Sequence, residues 1–130
     1  MRLGSVLGSD AGYQCFPPDS QRVRKPDVSF ISLDKIPREH AEMGYIPIAP
    51  DLAVEVVSPN DLALEIDNKV SEYLDAGVRL VWVIYPTTGQ VLVYNSAGGK
   101  ILSSHDELSG EDVIPDFRLK ISELLRKPGE

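Results

Sequence analysis

Pro50-Asp51-Leu52-Ala53-Val54-Glu55-Val56-Val57-Ser58-Pro59 is the stretch that decides the fold. Between Leu52 and Val57 every residue is apolar except Glu55. A short, almost unbroken apolar run bounded by turn residues suits a strand covered on both faces. Ser58-Pro59-Asn60-Asp61 then offers a turn and a helix cap. Ile66, Val70, Tyr73 and Leu74 recur at helical spacing up to about Ala76, and Gly77 supplies the C-terminal stop. Leu80 to Tyr85 is a second buried strand. A strand, a helix and a strand in succession make a crossover. Residues 51–85 are therefore expected to form a right-handed βαβ unit.

Upstream of this unit, Arg24 to Ser32 reads as a strand, with Val28 and Phe30 on one face and Asp27, Ser29 and Ile31 on the other. Gly4 to Phe16 reads as a hairpin or an irregular strand, and Pro17-Pro18-Asp19-Ser20 as a turn. Residues 33–50 carry three prolines and a glycine and read as a long connection. Downstream, Thr87 to Gln90 turns the chain into a strand over Val91 to Asn95. A short strand follows near Lys100 to Leu102, and Ile121 to Arg126 reads as a brief terminal helix. The expected fold class is α/β: a mixed β-sheet with an antiparallel meander and a βαβ crossover, in one domain spanning 1–130.

The bulk properties fit that picture and exclude others. With 130 residues, 42% hydrophobic and 25% charged, the chain has the make-up of an ordinary globular domain. Its one cysteine, Cys15, excludes an internal disulfide framework and a Cys-rich zinc site, and fits a cytoplasmic location. No apolar run approaches the ~20 residues that span a bilayer, so no membrane partner is expected. The net charge of −7 is concentrated: residues 50–79 hold seven acidic groups against two basic ones. Such a stretch is either a solvated acidic helix face or a carboxylate site that a divalent cation neutralises.

Glu55 is the residue to explain. A carboxylate inside an apolar strand costs several kcal/mol unless it is paired, protonated or bound to a metal. One account pairs it with Lys69 or an arginine. Another gives it a second carboxylate: if strands 24–31 and 51–58 lie antiparallel with aligned ends, Asp27 faces Glu55 with Cβ atoms ~5 Å apart. Asp51 shares Glu55's face but lies roughly 13 Å along the strand. Ligand bonds to a hard cation are only ~2.0–2.6 Å long, so Asp51 is expected to support the strand start rather than share an ion with Glu55. Lys69 has a second role open to it, an i,i+4 ion pair with Glu65. Arg22, Arg24 and Lys25 lead into Asp27 and suit either a phosphate contact or a solvated strand end. His40 and His105 are isolated, Cys15 reads as a packing residue, and Trp82 reads as core.

Four ordered segments carry a resemblance. They are Arg24-Lys25-Pro26-Asp27-Val28-Ser29-Phe30, Pro50 to Pro59, Lys69-Val70-Ser71-Glu72-Tyr73-Leu74-Asp75-Ala76-Gly77-Val78, and Val81-Trp82-Val83-Ile84-Tyr85-Pro86. Together they resemble the Uma family of restriction-endonuclease-like proteins, within the PD-(D/E)XK nuclease superfamily, over roughly residues 4–125. The resemblance implies a restriction-endonuclease-like fold and Mg²⁺- or Mn²⁺-assisted hydrolysis of phosphodiester bonds, with DNA the expected substrate. It implies that Asp27 and Glu55 bind the metal, joined by the Val56 carbonyl. The superfamily's strand lysine falls on Val57, which can neither orient a water nor offset an anion; the family's counterpart on the following helix matches Lys69. Relatives commonly begin with a helix before the first strand. This chain starts almost at the strand, so an N-terminally short form is expected, and its uncovered sheet favours a homodimer. The alternative function is a catalytically inactive scaffold of the same fold, acting as an oligomeric or interaction module.

Overall fold

The apolar run around Glu55 forms the third strand of a six-stranded sheet in the computed structural model, which describes residues 3–16, 19, 21–35 and 44–125. The strands are β1 (Gly4–Leu7), β2 (Val28–Ser32), β3 (Leu52–Val56), β4 (Leu80–Tyr85), β5 (Gln90–Asn95) and β6 (Gly98–Leu102), in that spatial order. Helix α1 (Ala63–Asp75) carries the chain from β3 to β4, which run parallel. All other neighbouring pairs in the sheet are antiparallel. The mixed sheet, its meander and its crossover are those expected from the sequence. Among the described residues no helix is long and apolar enough to cross a membrane.

Alternation along β3 and β4 explains why both read as continuously apolar. Ala53, Val81 and Val83 meet Ile31 and the α1 residues Ile66, Val70 and Tyr73 in one core. Leu52, Val54, Leu80, Trp82 and Ile84 face the other way and meet Phe30, Val91 and Val93 in a second core. The first core is closed further by Tyr13, Phe16 and Ile46; Tyr13 bridges the backbones of Arg24 and Ile46, and its hydroxyl lies 2.7 Å from Ser29 Oγ. Cys15 packs half-buried against this core, as expected. Trp82 packs on Phe117 in the second core with ring centroids 5.7 Å apart, and its buried indole N–H has no hydrogen-bond partner among the described residues.

The second core has a cover of which the sequence announced only the terminal helix, expected from Ile121. Strands β7 (Glu107–Ser109) and β8 (Arg118–Lys120) pair antiparallel, and helix α2 (Ile121–Leu124) follows at once. They deliver Leu108 and Ile121 to that core, with Val113 coming from the intervening loop. Strands of three residues place too few side chains inward to show a period of two. Their loop also bends at Glu111 (φ 53°) and Asp116 (φ 70°), residue types that do not advertise positive φ as glycine does.

Helix α1 departs from expectation at its N-terminus only. Leu62, not a polar residue, occupies the N-cap position without a side-chain cap bond. The Asp61 carboxylate is spent accepting the Ser58 N–H at 2.8 Å, which closes the preceding turn. At the C-terminus Gly77 has φ 98°, its N–H bonds to Leu74 O, and Val78 N–H bonds to Tyr73 O. That paired arrangement needs the left-handed conformation open to glycine. Gly77→Ala is expected to cost about 1 kcal/mol, read as a lower urea midpoint with unchanged slope.

Of the other expectations, the turn at 17–20 (apart from Asp19), His40 with the rest of 36–43, and Arg126 lie outside the described residues. Leu33–Lys35 form a single 3₁₀ turn after β2. The strand expected from Arg24 begins only at Val28.

Candidate functional site

The register between β2 and β3 pairs Val28 with Val54, Ser29 with Ala53 and Phe30 with Leu52. Continued by one residue, it sets Asp27 opposite Glu55, the pairing expected from aligned strand ends. Asp27 stands just ahead of β2, preceded by the buried Pro26. Its Oδ2 accepts the Val56 N–H at 2.7 Å, so the carboxylate is anchored to the backbone of the residue that follows Glu55.

Glu55 lies near the C-terminal end of β3 on the face that carries α1, the face shared with Ala53. It is 5% exposed. Its Oε2 accepts the Tyr73 hydroxyl at 2.6 Å, and Lys69 Nζ stands 3.5 Å from Oε1. Lys69 and Tyr73 are four residues apart, so both project from one face of α1 onto the same carboxylate. Burial lifts the Glu55 carboxyl above its ordinary range. The Tyr73 hydroxyl and the Lys69 charge pull it back, the Asp27 charge adds to the lift, and the net direction is upward. Burial and the Glu55 charge push the Tyr73 hydroxyl far up, so it stays a donor.

Helix α1 also holds the other arm of the site. Glu72 Oε2 accepts from Arg24 Nε at 2.6 Å, and Arg22 Nη1 lies 3.1 Å from Glu72 Oε1. Arg22 and Arg24, candidates for phosphate contact, are thus committed to tying the approach to Asp27 onto the helix that grips Glu55. Lys25 is exposed. Sequence reasoning did not single out Glu72, and it read Tyr73 only as part of the apolar stripe. The available signal was a hydroxyl on that stripe one turn after Lys69, facing a strand with a buried acid.

Asp51, at the opposite end of β3, has a different environment. It is 1% exposed, and its Oδ2 accepts the Ser32 N–H at 2.7 Å. Lys35 Nζ and Arg79 Nη1 lie 3.5 Å and 3.6 Å from its Oδ1. Burial opposes ionisation, but the Ser32 hydrogen bonds and Lys35 outweigh it and hold the carboxyl below its ordinary range. Asp51 is therefore a joint between β3, the end of β2 and the chain entering β4. A cleft of about 660 Å³ near this end is lined by Arg79, Asn95, Glu111 and Asp112 and touches neither Asp27 nor Glu55. Its polar groups are paired with each other, Asn95 with Glu111 at 3.0 Å and Arg79 with Asp112 at 3.0 Å. The chemistry-bearing groups are at the carboxylate pair, so the cleft is not the candidate site.

Among the described residues no group of three or more His, Cys, Asp or Glu side chains is arranged to hold a metal. What β2 and β3 bring together is two carboxylates and the Val56 main chain. That set of hard oxygen donors suits a cation that keeps several waters, as Mg²⁺ does, rather than one needing a full protein cage.

Comparison with known proteins agrees with this architecture. No curated protein matches the chain. A crystal structure from Anabaena variabilis, described as a putative nuclease belonging to DUF820, superposes with a TM-score of 0.80 at 22% identity. The match covers 95% of this chain and 69% of that one, which shows a shared fold. A family model, Uma2, described as "Putative restriction endonuclease", matches residues 1–122. The chain belongs to the Uma2 family.

Proposed function

We propose that the domain is a divalent-metal-dependent endonuclease that hydrolyses phosphodiester bonds in DNA. The observation that supports this reading is the β2–β3 register, which continued by one residue faces Asp27 with Glu55, together with Lys69 beside Glu55, in a chain of the Uma2 family. Asp27 and Glu55 would hold Mg²⁺ or Mn²⁺ with the Val56 carbonyl. When bound, the ion supplies charge neutralisation and a more acidic water at the scissile phosphate. The chain's own residues do the rest. Lys69, 30% exposed on a flexible stem, reaches from Glu55 toward a phosphate oxygen and offsets the charge that grows there. The buried walls around Glu55 strengthen each of these interactions by excluding water. Dimerisation and a cytoplasmic location belong to the same reading.

Lys69→Met separates the two tasks. Cleavage is expected to fall about 100-fold, the scale for losing one charge-stabilising donor. Mn²⁺ affinity should hold or rise, because a positive charge beside the ion site has gone. Supercoiled plasmid cleavage in Mg²⁺ or Mn²⁺, with a chelator control, tests the function itself. Cutting that survives both Asp27→Asn and Glu55→Gln rules out this site. A folded chain that neither binds Mn²⁺ nor cuts returns the alternative, a non-catalytic interaction module.

A further inference from the structure

Tyr73 holds a position in α1 where a plain apolar residue would serve the core. Ile66 and Val70 occupy the same stripe as aliphatics. Tyr73 is 1% exposed, with its ring 5.9 Å from that of Phe16. A hydroxyl buried this deeply is costly unless it finds a partner, and the partner here is one oxygen of one carboxylate, Glu55 Oε2 at 2.6 Å. The ring is fixed by packing while the last torsion of a glutamate is broad and soft. The hydroxyl therefore locks the plane of the Glu55 carboxylate and leaves Oε1 to the single long contact from Lys69 Nζ at 3.5 Å.

We propose that Tyr73 is the positioning residue of this site: it fixes the orientation in which Glu55 presents Oε1 to a divalent cation. The inference rests on the metal reading above and adds to it a residue that acts through Glu55 without touching the ion. Partners that orient a metal ligand commonly set its affinity by 10- to 100-fold.

The experiment is a titration with Mn²⁺ alone, followed by calorimetry, on wild type, Tyr73→Phe, Glu55→Asp and the double variant. Tyr73→Phe keeps the ring that fills the core, and circular dichroism checks its fold. It is expected to weaken Mn²⁺ binding about 10-fold and to change the electron paramagnetic resonance spectrum of the saturated protein. Glu55→Asp withdraws the carboxylate from the hydroxyl by one methylene, so Tyr73→Phe should add little in that background. A hydroxyl with only a structural role would lower the melting temperature and leave affinity and spectrum unchanged, which overturns the proposal. Additive losses in the double variant overturn it too, and so does a Tyr73→Phe chain that binds as wild type does. Wild type that binds no Mn²⁺ overturns the metal reading itself, and this inference with it.

Discussion

Glu55→Gln should melt at a higher temperature than wild type in metal-free buffer at neutral pH, and should neither bind Mn²⁺ nor cut DNA. The two effects have one cause. Burial disfavours the Glu55 carboxylate, and neither Tyr73 nor Lys69 fully compensates, so its folded-state pKa lies above the ordinary value. A carboxyl raised in this way stabilises the fold below the ordinary glutamate range, and that contribution is lost as pH rises through the raised value. Glutamine keeps the shape and an acceptor for Tyr73 but carries no charge to desolvate. The gain is on the order of 1 kcal/mol, or roughly 4 °C for a chain of this size. Melting curves between pH 3 and 8 check the sign: the gap between variant and wild type should open as pH rises and close in acid. A variant less stable than wild type at pH 7 would mean that the Lys69 pair, not function, accounts for the buried acid.

Asp51→Ala is expected to behave in the opposite way. Removing this carboxylate leaves the half-buried Ser32 N–H without its acceptor and Lys35 and Arg79 without their shared counter-charge. Both cations are partly exposed and can turn to water, so the loss is dominated by the orphaned backbone donor and the broken joint. It should be about 3 kcal/mol, close to 10 °C in melting temperature. Because the Asp51 carboxyl is held below its ordinary range, its contribution is present above that range and disappears as pH falls through the lowered value. The deficit of the variant should therefore shrink in strong acid. Its Mn²⁺ affinity, at permissive temperature, should stay within a few-fold of wild type. An equal loss of metal binding in Asp51→Ala would merge the two ends of β3 into one site.

These contrasting carboxylates show what the sequence could and could not convey. The crossover was legible because β3, α1 and β4 each bury enough side chains to display their period, and Gly77 marks a real left-handed stop. The register of β2 on β3 was legible because two short strands with aligned ends allow few registers. Asp51's partners were not. Lys35 lies 16 residues before it in the chain, beyond the reach of local pattern, and Arg79 lies beyond α1. The Arg24–Glu72 tie spans 48 residues and was hidden for the same reason. Tyr73 was seen as apolar surface when its hydroxyl was the informative part. The β7–β8 cover left no trace because its strands are shorter than the pattern that reveals a strand.

Calorimetric titration of Mn²⁺ into metal-free wild type and Asp27→Asn tests most directly whether β2 and β3 build one metal site. The account predicts a single micromolar ion per chain in wild type and its loss in Asp27→Asn, with the fold intact by circular dichroism. Binding that is indifferent to Asp27→Asn, or no binding by wild type at millimolar Mn²⁺, would contradict it.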